Sequence, residues 1–302
     1  MSDRGISHTD AIATGVRELI GADARIASVQ FHGRSLFELY RVQLADGRVL
    51  AAKIVESLEM AHAESDGLRA LAAAGAPTPV CYGVWQATNH APVLYMDFIA
   101  PRRTEAVATQ ASAGSMLIDD LLRLYAAPVA EGFFGWRASN FIGTLAQPNG
   151  RRAKFSEFWW KDRLRPQFEA AHRRGFLSSD VGRELEDTLV RCAADWGLDR
   201  LPPRLIHGDL WNGNLVVGPG GRRYLIDPSV AQSNPEQDLA MLDLFGSILS
   251  AAQLETIARN AGVGPGFSER IPFWQIYPLL VHVNIIGGSY VRQLTDAVRV
   301  YR

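Results

Sequence analysis

The spacing of apolar residues changes near residue 98, and this change limits the chain to a fold with two unlike parts. Before it, runs rich in β-branched, aromatic and aliphatic residues predict strands at 29–31, 36–44, 49–55, 80–85 and 93–98. Asp46-Gly47 is a hairpin signal between the second and third runs. One helix is predicted at 60–74, because apolar residues recur there at helical spacing and Gly75 and Pro77 follow.

After residue 98 the pattern becomes predominantly helical. Apolar residues recur every three to four positions at 116–126, 155–172, 181–194, 239–252 and 274–299. Two short strand-like runs, 215–217 and 224–226, interrupt them around a glycine-rich turn. The sequence therefore predicts an α+β protein with two lobes, a small antiparallel-sheet lobe at 1–98 and a larger helical lobe at 99–302, joined near 98–101.

The charge balance and the hydropathy exclude several functional classes. Lys and Arg total 31 against 32 Asp and Glu, so the chain lacks the basic excess typical of nucleic-acid-binding domains. No uncharged apolar run approaches the roughly 18 residues needed to cross a bilayer, and the first ten residues lack the apolar core of a secretory signal. Cys81 and Cys192 are far apart and have no metal-binding spacing. We therefore expect a cytoplasmic protein with no nucleic-acid or membrane partner.

The segment H-G-D-L-W-N-G-N, which begins at His207, contains the most informative spacing. Phosphoryl transfer from ATP requires a carboxylate at the acceptor hydroxyl and oxygen ligands for magnesium on the phosphates. Asp209 and Asn214 have the spacing of the protein-kinase catalytic loop, and Asp227 follows a predicted hairpin, as the metal-binding Asp of D-F-G does. We predict that Asp209 is the catalytic base and that Asn214 and Asp227 bind Mg²⁺. The alternative is that all three are turn residues, because Asp and Asn are common in turns.

A second pair of charges lies in the first lobe. Lys53 is the only lysine before residue 154, and it lies in an otherwise apolar strand where kinases place the lysine that binds the α- and β-phosphates. A lysine in such a strand needs a partner to stay charged, and Glu64, on the apolar side of the following helix, is the natural one. The alternatives are a solvated strand-edge charge for Lys53 and a solvent-facing helix residue for Glu64.

A loop with one glycine lies between the first two predicted strands, where a kinase covers the nucleotide phosphates. We expect Gly33 and Ser35 in this loop to bind ATP, while the alternative for Gly33 is a simple tight turn. We also expect Asp97 and Ile99, where the two lobes meet, to contact the nucleotide.

These residues resemble those of the fructosamine kinase (ketosamine-3-kinase) family, a branch of the aminoglycoside-phosphotransferase-like kinases. The shared motifs span nearly the whole chain: E-S-D-G-L from Glu64, F-I-G-T-L-A-Q-P-N from Phe141, H-G-D-L-W-N-G-N from His207, I-D-P from Ile226, E-Q-D-L-A-M-L-D-L-F-G from Glu236 and H-V-N-I-I-G-G-S-Y from His282. The resemblance implies a two-lobed protein-kinase-like fold. It also implies phosphorylation by ATP, with Mg²⁺, of the 3-hydroxyl of a fructosamine or ribulosamine, free or protein-bound. The amine is then released, which repairs the glycation.

Three further residues are expected to act at this site. Trp211 would stack on a sugar face, and His282 lies on a helix that the family places near the acceptor, although both residue types more often serve in packing. Asp238 is expected in the first turn of a helix, where it would also brace the catalytic loop. Gly208 stands where protein kinases have Arg.

The chain departs from the family pattern at two places. Gly33-Arg34-Ser35-Leu36-Phe37 stands where the family usually has Gly-Gly-Ser-x-Asn, and Ser233-Asn234-Pro235 stands where it often has Gly-His-Arg. Two alternatives to the ketosamine hypothesis therefore remain: a kinase of the aminoglycoside or choline phosphotransferase type, and a nucleotide-binding pseudokinase.

Overall fold

The structure is a computed structural model that describes residues 8–100, 110–129, 132–262 and 264–301. Its N-terminal part is built on an antiparallel sheet of five strands: β1 (Ile26–Arg34), β2 (Glu38–Leu44), β3 (Val49–Ile54), β4 (Cys81–Trp85) and β5 (Val93–Asp97). Their order across the sheet is β1-β2-β3-β5-β4. All five predicted strands are present, and β1 is longer than expected at both ends.

A helix that the sequence patterns above do not include, α1 (His8–Ile20), packs against this sheet. Ile12 and Val16 are fully buried in one cluster with Val42 of β2. Tyr95 of β5 donates a hydrogen bond to the Ile12 carbonyl at 3.1 Å, and its ring lies so close to Gly15 that a Cβ there would overlap it. The i, i+4 pair of Ile12 and Val16 is the signal that reveals such a helix.

The predicted helix at 60–74 is α2 (Leu58–Ala73). The Ser57 side chain caps it by accepting from the Met60 N–H at 3.2 Å. Gly67 allows α2 to approach the C-terminal part closely, because a Cβ there would lie 2.8 Å from Pro228 Cγ. The helix therefore stands directly beside the segment that follows Asp227.

The C-terminal part is mainly helical, as predicted, and its helices are α3 (Gln110–Ala126), α4 (Phe155–Phe158), α5 (Arg165–Arg173), α6 (Ser179–Asp195), α7 (Glu236–Leu244), α8 (Ala251–Asn260), α9 (Phe267–Ile285) and α10 (Val291–Arg299). A π-helical stretch, Trp159–Leu164, joins α4 to α5. Pro166 has no N–H for the Asp162 carbonyl, which accepts from the Arg163 side chain at 2.9 Å instead. Trp159, Phe273 and Trp274 are fully buried at the centre of this part.

Two predicted helices are each divided in the structure. The segment 239–252 ends as a helix at Leu244, because Gly246 adopts a left-handed conformation with φ of +83°. Ser250 then caps α8 in a reciprocal arrangement with Gln253. The segment 274–299 breaks at Gly287, whose φ is +111°. Single glycines inside apolar helical spacing are thus the reason for both errors.

Three short antiparallel pairs complete the fold: β6 (Asn140–Ile142) with β7 (Leu145–Gln147), β8 (Arg204–Ile206) with β11 (Ala231–Ser233), and β9 (Leu215–Val217) with β10 (Arg223–Leu225). Only the β9–β10 pair is predicted from the sequence. Pro101 of the predicted junction and residues 1–7 lie outside the described residues. No helix among the described residues is long and apolar enough to span a membrane.

Candidate active site

Lys53 on β3 forms two ion pairs, one within the N-terminal part and one with the C-terminal part. Its Nζ donates to Glu64 Oε2 of α2 at 2.7 Å and to Asp227 Oδ1 at 2.8 Å. The Lys53 and Glu64 side chains are 9% and 11% exposed, whereas Asp227 is 38% exposed. The predicted Lys53–Glu64 pair is therefore formed, and Asp227 extends it from the C-terminal side of the cleft.

The charges in this cluster are set by burial and by each other. Burial disfavours the charge of Lys53, but the Asp227 and Glu64 carboxylates outweigh it and raise the lysine pKa. Burial raises the pKa of Glu64 to about 7, while the Lys53 ammonium lowers the pKa of Asp227 against the effect of burial. The ammonium therefore stays positive at neutral pH and can pair with an anion.

The loop after β8 is fixed to helix α7 by one carboxylate. The Asp238 oxygens accept from the backbone N–H groups of His207 and Gly208, each at 2.8 Å, and from the Tyr125 hydroxyl at 3.2 Å. Asp238 is 1% exposed and lies in the first turn of α7. Asp238 therefore occupies the position expected from the sequence.

The conformation of this turn is stabilised by His207 and requires a glycine at position 208. The His207 ring accepts from the Asp209 N–H at 3.2 Å and donates to the Ile226 carbonyl at 2.9 Å. Burial lowers the pKa of His207 to about 4, so the ring is neutral. Gly208 has a φ of +83°, and a Cβ there would overlap the Ser229 carbonyl oxygen. An Arg at position 208, as in protein kinases, would not fit.

Asp209 and Asn214 are hydrogen-bonded to each other at the end of this loop. Asn214 Nδ2 donates to the Asp209 carbonyl at 2.8 Å and to Asp209 Oδ2 at 3.1 Å. Burial raises the pKa of Asp209 to about 7, and the nearby Asp227 charge adds to the increase. A carboxylate with this pKa is suited to accept a proton near neutral pH.

Asn214 and Asp227 offer the oxygen ligands that magnesium prefers. Because Asn214 Nδ2 donates to Asp209, its Oδ1 remains as an acceptor. The Asp227 carboxylate is the exposed member of the lysine cluster, and its residue adopts a left-handed conformation with φ of +53°. No group of three or more His, Cys, Asp or Glu side chains in the described ranges forms a metal cage. Asn214 and Asp227 therefore fit a metal ion whose other ligands are phosphate oxygens and water.

Two cavities meet at these charges. The sheet-side cavity has a volume of about 470 Å³ and is lined by apolar residues of the sheet and the C-terminal part, among them Leu39, Ala51, Met96, Phe98, Val216 and Ile226. The helix-side cavity has a volume of about 340 Å³ and lies between α2, the β6–β7 hairpin and the catalytic loop. Lys53, Asn214, Asp227 and Trp211 line both.

The residues expected to bind the nucleotide, apart from Glu64, lie along the sheet-side cavity, whereas Glu64 lines the helix-side cavity. Gly33, Ser35, Asp97 and Ile99 line the sheet-side cavity. The Asp97 carboxylate accepts from the Tyr82 hydroxyl at 2.7 Å, so this side chain is held within the sheet. Ser35 also lines the helix-side cavity, which places the loop between β1 and β2 over the boundary between the two.

Trp211 and His282 occupy different positions relative to the cleft. Trp211 lines both cavities and is 39% exposed. His282 is absent from the described lining of both, and its ring centroid lies 4.8 Å from that of Phe245, which lies 6.0 Å from that of Trp211. Nδ1–H of His282 donates to the Pro278 carbonyl at 2.8 Å. His282 therefore supports the residues behind Trp211 instead of lining the cleft.

A buried polar network behind the helix-side cavity is missing from the sequence interpretation. Gln147 accepts from the Tyr277 hydroxyl at 2.6 Å and donates to Asn140 Oδ1 at 2.8 Å and to the Ser229 carbonyl at 3.2 Å. Asn140 donates to the Val230 carbonyl at 2.8 Å. These bonds fix the β6–β7 hairpin to the segment after Asp227. The F-I-G-T-L-A-Q-P-N motif, noted above only as a resemblance, was the available signal.

Comparisons with known proteins identify relatives of this chain. The sequence profile of the fructosamine kinase family matches residues 10–301. A probable ketoamine kinase of Enterococcus faecium is 30% identical over 268 residues, which cover 87% of this chain and 90% of that protein. A solved structure from Thermobifida fusca, assigned as a fructosamine-3-kinase, is 32% identical with a TM-score of 0.82, covering 96% of this chain and 98% of that chain.

A more distant solved structure shows the wider fold. Aminoglycoside phosphotransferase APH(4)-Ia, in a ternary complex with ADP and hygromycin B, has a TM-score of 0.60 at 13% identity, covering 95% of this chain and 97% of that chain. The predicted two-lobed kinase-like α+β fold is thereby confirmed. Together with the match over 10–301, these findings show that the chain belongs to the fructosamine kinase family.

Proposed function

We propose that this chain is an ATP-dependent kinase that phosphorylates the 3-hydroxyl of a ketosamine, free or protein-bound. The observation that supports this most strongly is that the Lys53–Glu64–Asp227 cluster and the Asp209–Asn214 pair line one cleft. This arrangement lies within a chain of the fructosamine kinase family. ATP binding in the sheet-side cavity would place its phosphates at Lys53, where the two cavities meet.

The charged groups have separate roles in this proposal. Lys53, held by Glu64, pairs with the α- and β-phosphates. Asn214 and Asp227 would hold Mg²⁺, which neutralises negative charge on the phosphates. Asp238 acts indirectly, because it positions the loop that contains Asp209.

The acceptor sugar binds in the helix-side cavity, with Trp211 against its ring. Asp209 orients the acceptor hydroxyl and takes its proton while the hydroxyl oxygen forms a bond to the terminal phosphorus of ATP. The bond from that phosphorus to the bridging oxygen breaks, and ADP leaves. With its pKa raised to about 7, Asp209 is a better proton acceptor than an ordinary carboxylate.

The experiment is a substrate panel with product analysis. Purified protein is incubated with ATP and Mg²⁺ and with fructosyl- or ribulosyl-amines, an aminoglycoside or choline, and ADP release is followed. We expect turnover only with the ketosamines, and ³¹P–¹H correlation should place the phosphate on the 3-oxygen. Turnover with an aminoglycoside or choline alone would support the alternative kinase, and ATP binding without any turnover would support a pseudokinase.

A further inference from the structure

The helix-side cavity has a charged end and an apolar mouth. Among the described residues that line it, the charged ones are Lys53, Glu64, Asp209 and Asp227, which all belong to the catalytic cluster. The side walls are formed mainly by apolar residues: Leu36, Phe37, Val55, Met60, Ala63, Phe141, Trp211 and Pro228. Polar recognition of a ligand is therefore concentrated where phosphoryl transfer takes place.

Leu36 and Trp211 line the helix-side cavity and remain exposed, and Ile285 is an exposed neighbour of Gly143, which also lines it. Leu36, Trp211 and Ile285 are 49%, 39% and 40% exposed. A Cβ at Gly143 would lie 3.2 Å from Ile285 Cδ1 and 3.6 Å from Leu36 Cδ1, so both methyl groups lie on the same side of Gly143. We call Leu36, Trp211 and Ile285 the apolar rim. Clustered exposed apolar side chains of this kind mark binding surfaces more often than single ones do.

The loop between β1 and β2 holds Leu36 in this position. The neighbouring Phe37 ring lies with its centroid 5.3 Å from Lys53 Nζ, so it faces the charged cluster. The Ser35 N–H donates to the Phe37 carbonyl at 3.3 Å, which closes a tight turn around Leu36. The Leu36 side chain extends across the cleft to Gly143 of the β6–β7 hairpin. The apolar rim thus includes residues from both parts of the molecule.

We propose that the apolar rim binds an alkyl or aryl substituent on the amine of the ketosamine. This inference rests on the proposed function, because the sugar must lie in the helix-side cavity for its amine substituent to reach the mouth. With the acceptor hydroxyl at Asp209, the opposite end of the substrate points towards Leu36 and Ile285. A charged substituent at that place would lose water without gaining an ionic partner from the rim.

The test compares ketosamines that differ only in the amine substituent. Fructosyl derivatives of methylamine, n-hexylamine and 6-aminohexanoate provide a short chain, a long apolar chain and a chain with a terminal charge. At saturating ATP, we expect kcat/KM to rise about fourfold for each methylene buried on the rim. The hexyl derivative should therefore exceed the methyl derivative at least tenfold and should also exceed the 6-aminohexanoate derivative.

Variants assign the effect to the apolar rim. Leu36→Ser and Ile285→Ser should each raise KM for the hexyl ketosamine at least fivefold more than they raise KM for the methyl ketosamine or for ATP. Val190→Ser is the matched control, because Val190 is an exposed apolar residue of α6, 63% exposed. It should leave all three KM values unchanged.

The outcomes separate this inference from the proposed function. If the ketosamines are phosphorylated with equal kcat/KM, or the charged chain is preferred, the apolar rim does not bind the substituent although the proposed function stands. An equal increase in KM for the hexyl and methyl substrates in Leu36→Ser would also overturn the inference. If none of the ketosamines is phosphorylated, the proposed function itself fails.

Discussion

The substitution Asp238→Asn tests whether helix α7 positions the catalytic loop. The wild-type carboxylate accepts hydrogen bonds from three buried donors, the N–H groups of His207 and Gly208 and the Tyr125 hydroxyl. Asparagine keeps one acceptor oxygen and replaces the other with a donor. One backbone N–H therefore loses its acceptor, which costs about 1–3 kcal/mol of folding free energy.

Removal of the charge has the opposite effect on stability. Burial raises the pKa of Asp238 from 3.8 to about 6. At roughly 1.4 kcal/mol per pKa unit, the ionised form is disfavoured by about 3 kcal/mol in the folded state at neutral pH. The two contributions offset each other, so we expect the free energy of unfolding of Asp238→Asn to stay within about 2 kcal/mol of the wild-type value.

The effect on activity should be much larger than the effect on stability. A loop freed at His207 or Gly208 no longer holds Asp209 in place, and small misplacements of a catalytic group cost about 100-fold in rate. Urea unfolding and ADP release measure the two quantities. Asp243→Asn on the same helix is the control, since its carboxylate accepts only from Gln275 in the part of the chain described. Wild-type kcat in Asp238→Asn would refute the reasoning.

Three further substitutions test other parts of the site. Gly208→Ala should lower the free energy of unfolding by about 2 kcal/mol or more, because φ is +83° and the Cβ overlaps the Ser229 carbonyl; an unchanged urea midpoint would contradict this. Gln147→Leu should raise KM for the ketosamine and leave KM for ATP unchanged, because it frees the β6–β7 hairpin. Equal increases in both KM values, measured by steady-state kinetics, would indicate general misfolding instead. Burial lowers the pKa of His207 from 6.5 to about 4, so below about pH 6.5 the unfolded state binds a proton that the folded state does not bind. The free energy of unfolding of the wild type should therefore fall by up to about 3 kcal/mol between pH 6.5 and 4. His207→Gln should lack this decrease when urea unfolding is measured over the same pH range. An equal decrease in the variant and the wild type would contradict the lowered pKa of His207.

The sequence predicts the charged centre of the site well because its chemistry requires fixed residue types at fixed spacing. Lys53 and Glu64 are eleven residues apart, on a strand and on the helix that follows it. In the structure, Lys53 Nζ lies 2.7 Å from Glu64 Oε2. Asp227 is far from both in sequence, yet the kinase-like spacing after Asn214 indicates its place. These relations do not depend on how the rest of the chain packs.

Other features depend on tertiary contacts that spacing alone does not reveal. Gly287 interrupts an otherwise continuous helical pattern, because its φ of +111° turns the chain between α9 and α10. His282 was expected at the acceptor, but Phe245 lies between it and Trp211. The F-I-G-T-L-A-Q-P-N motif includes Gln147 but does not reveal its partner, because the Ser229 carbonyl is 82 residues away.

The most direct test of the account compares wild type with Asp209→Asn. ADP release with a ketosamine measures phosphoryl transfer, and titration calorimetry measures nucleotide binding. The account predicts turnover in wild type, loss of turnover in Asp209→Asn, and the same ATP affinity in both, because Lys53 and the sheet-side cavity are intact. Undiminished turnover in Asp209→Asn would contradict the assignment of the base and with it the proposed mechanism.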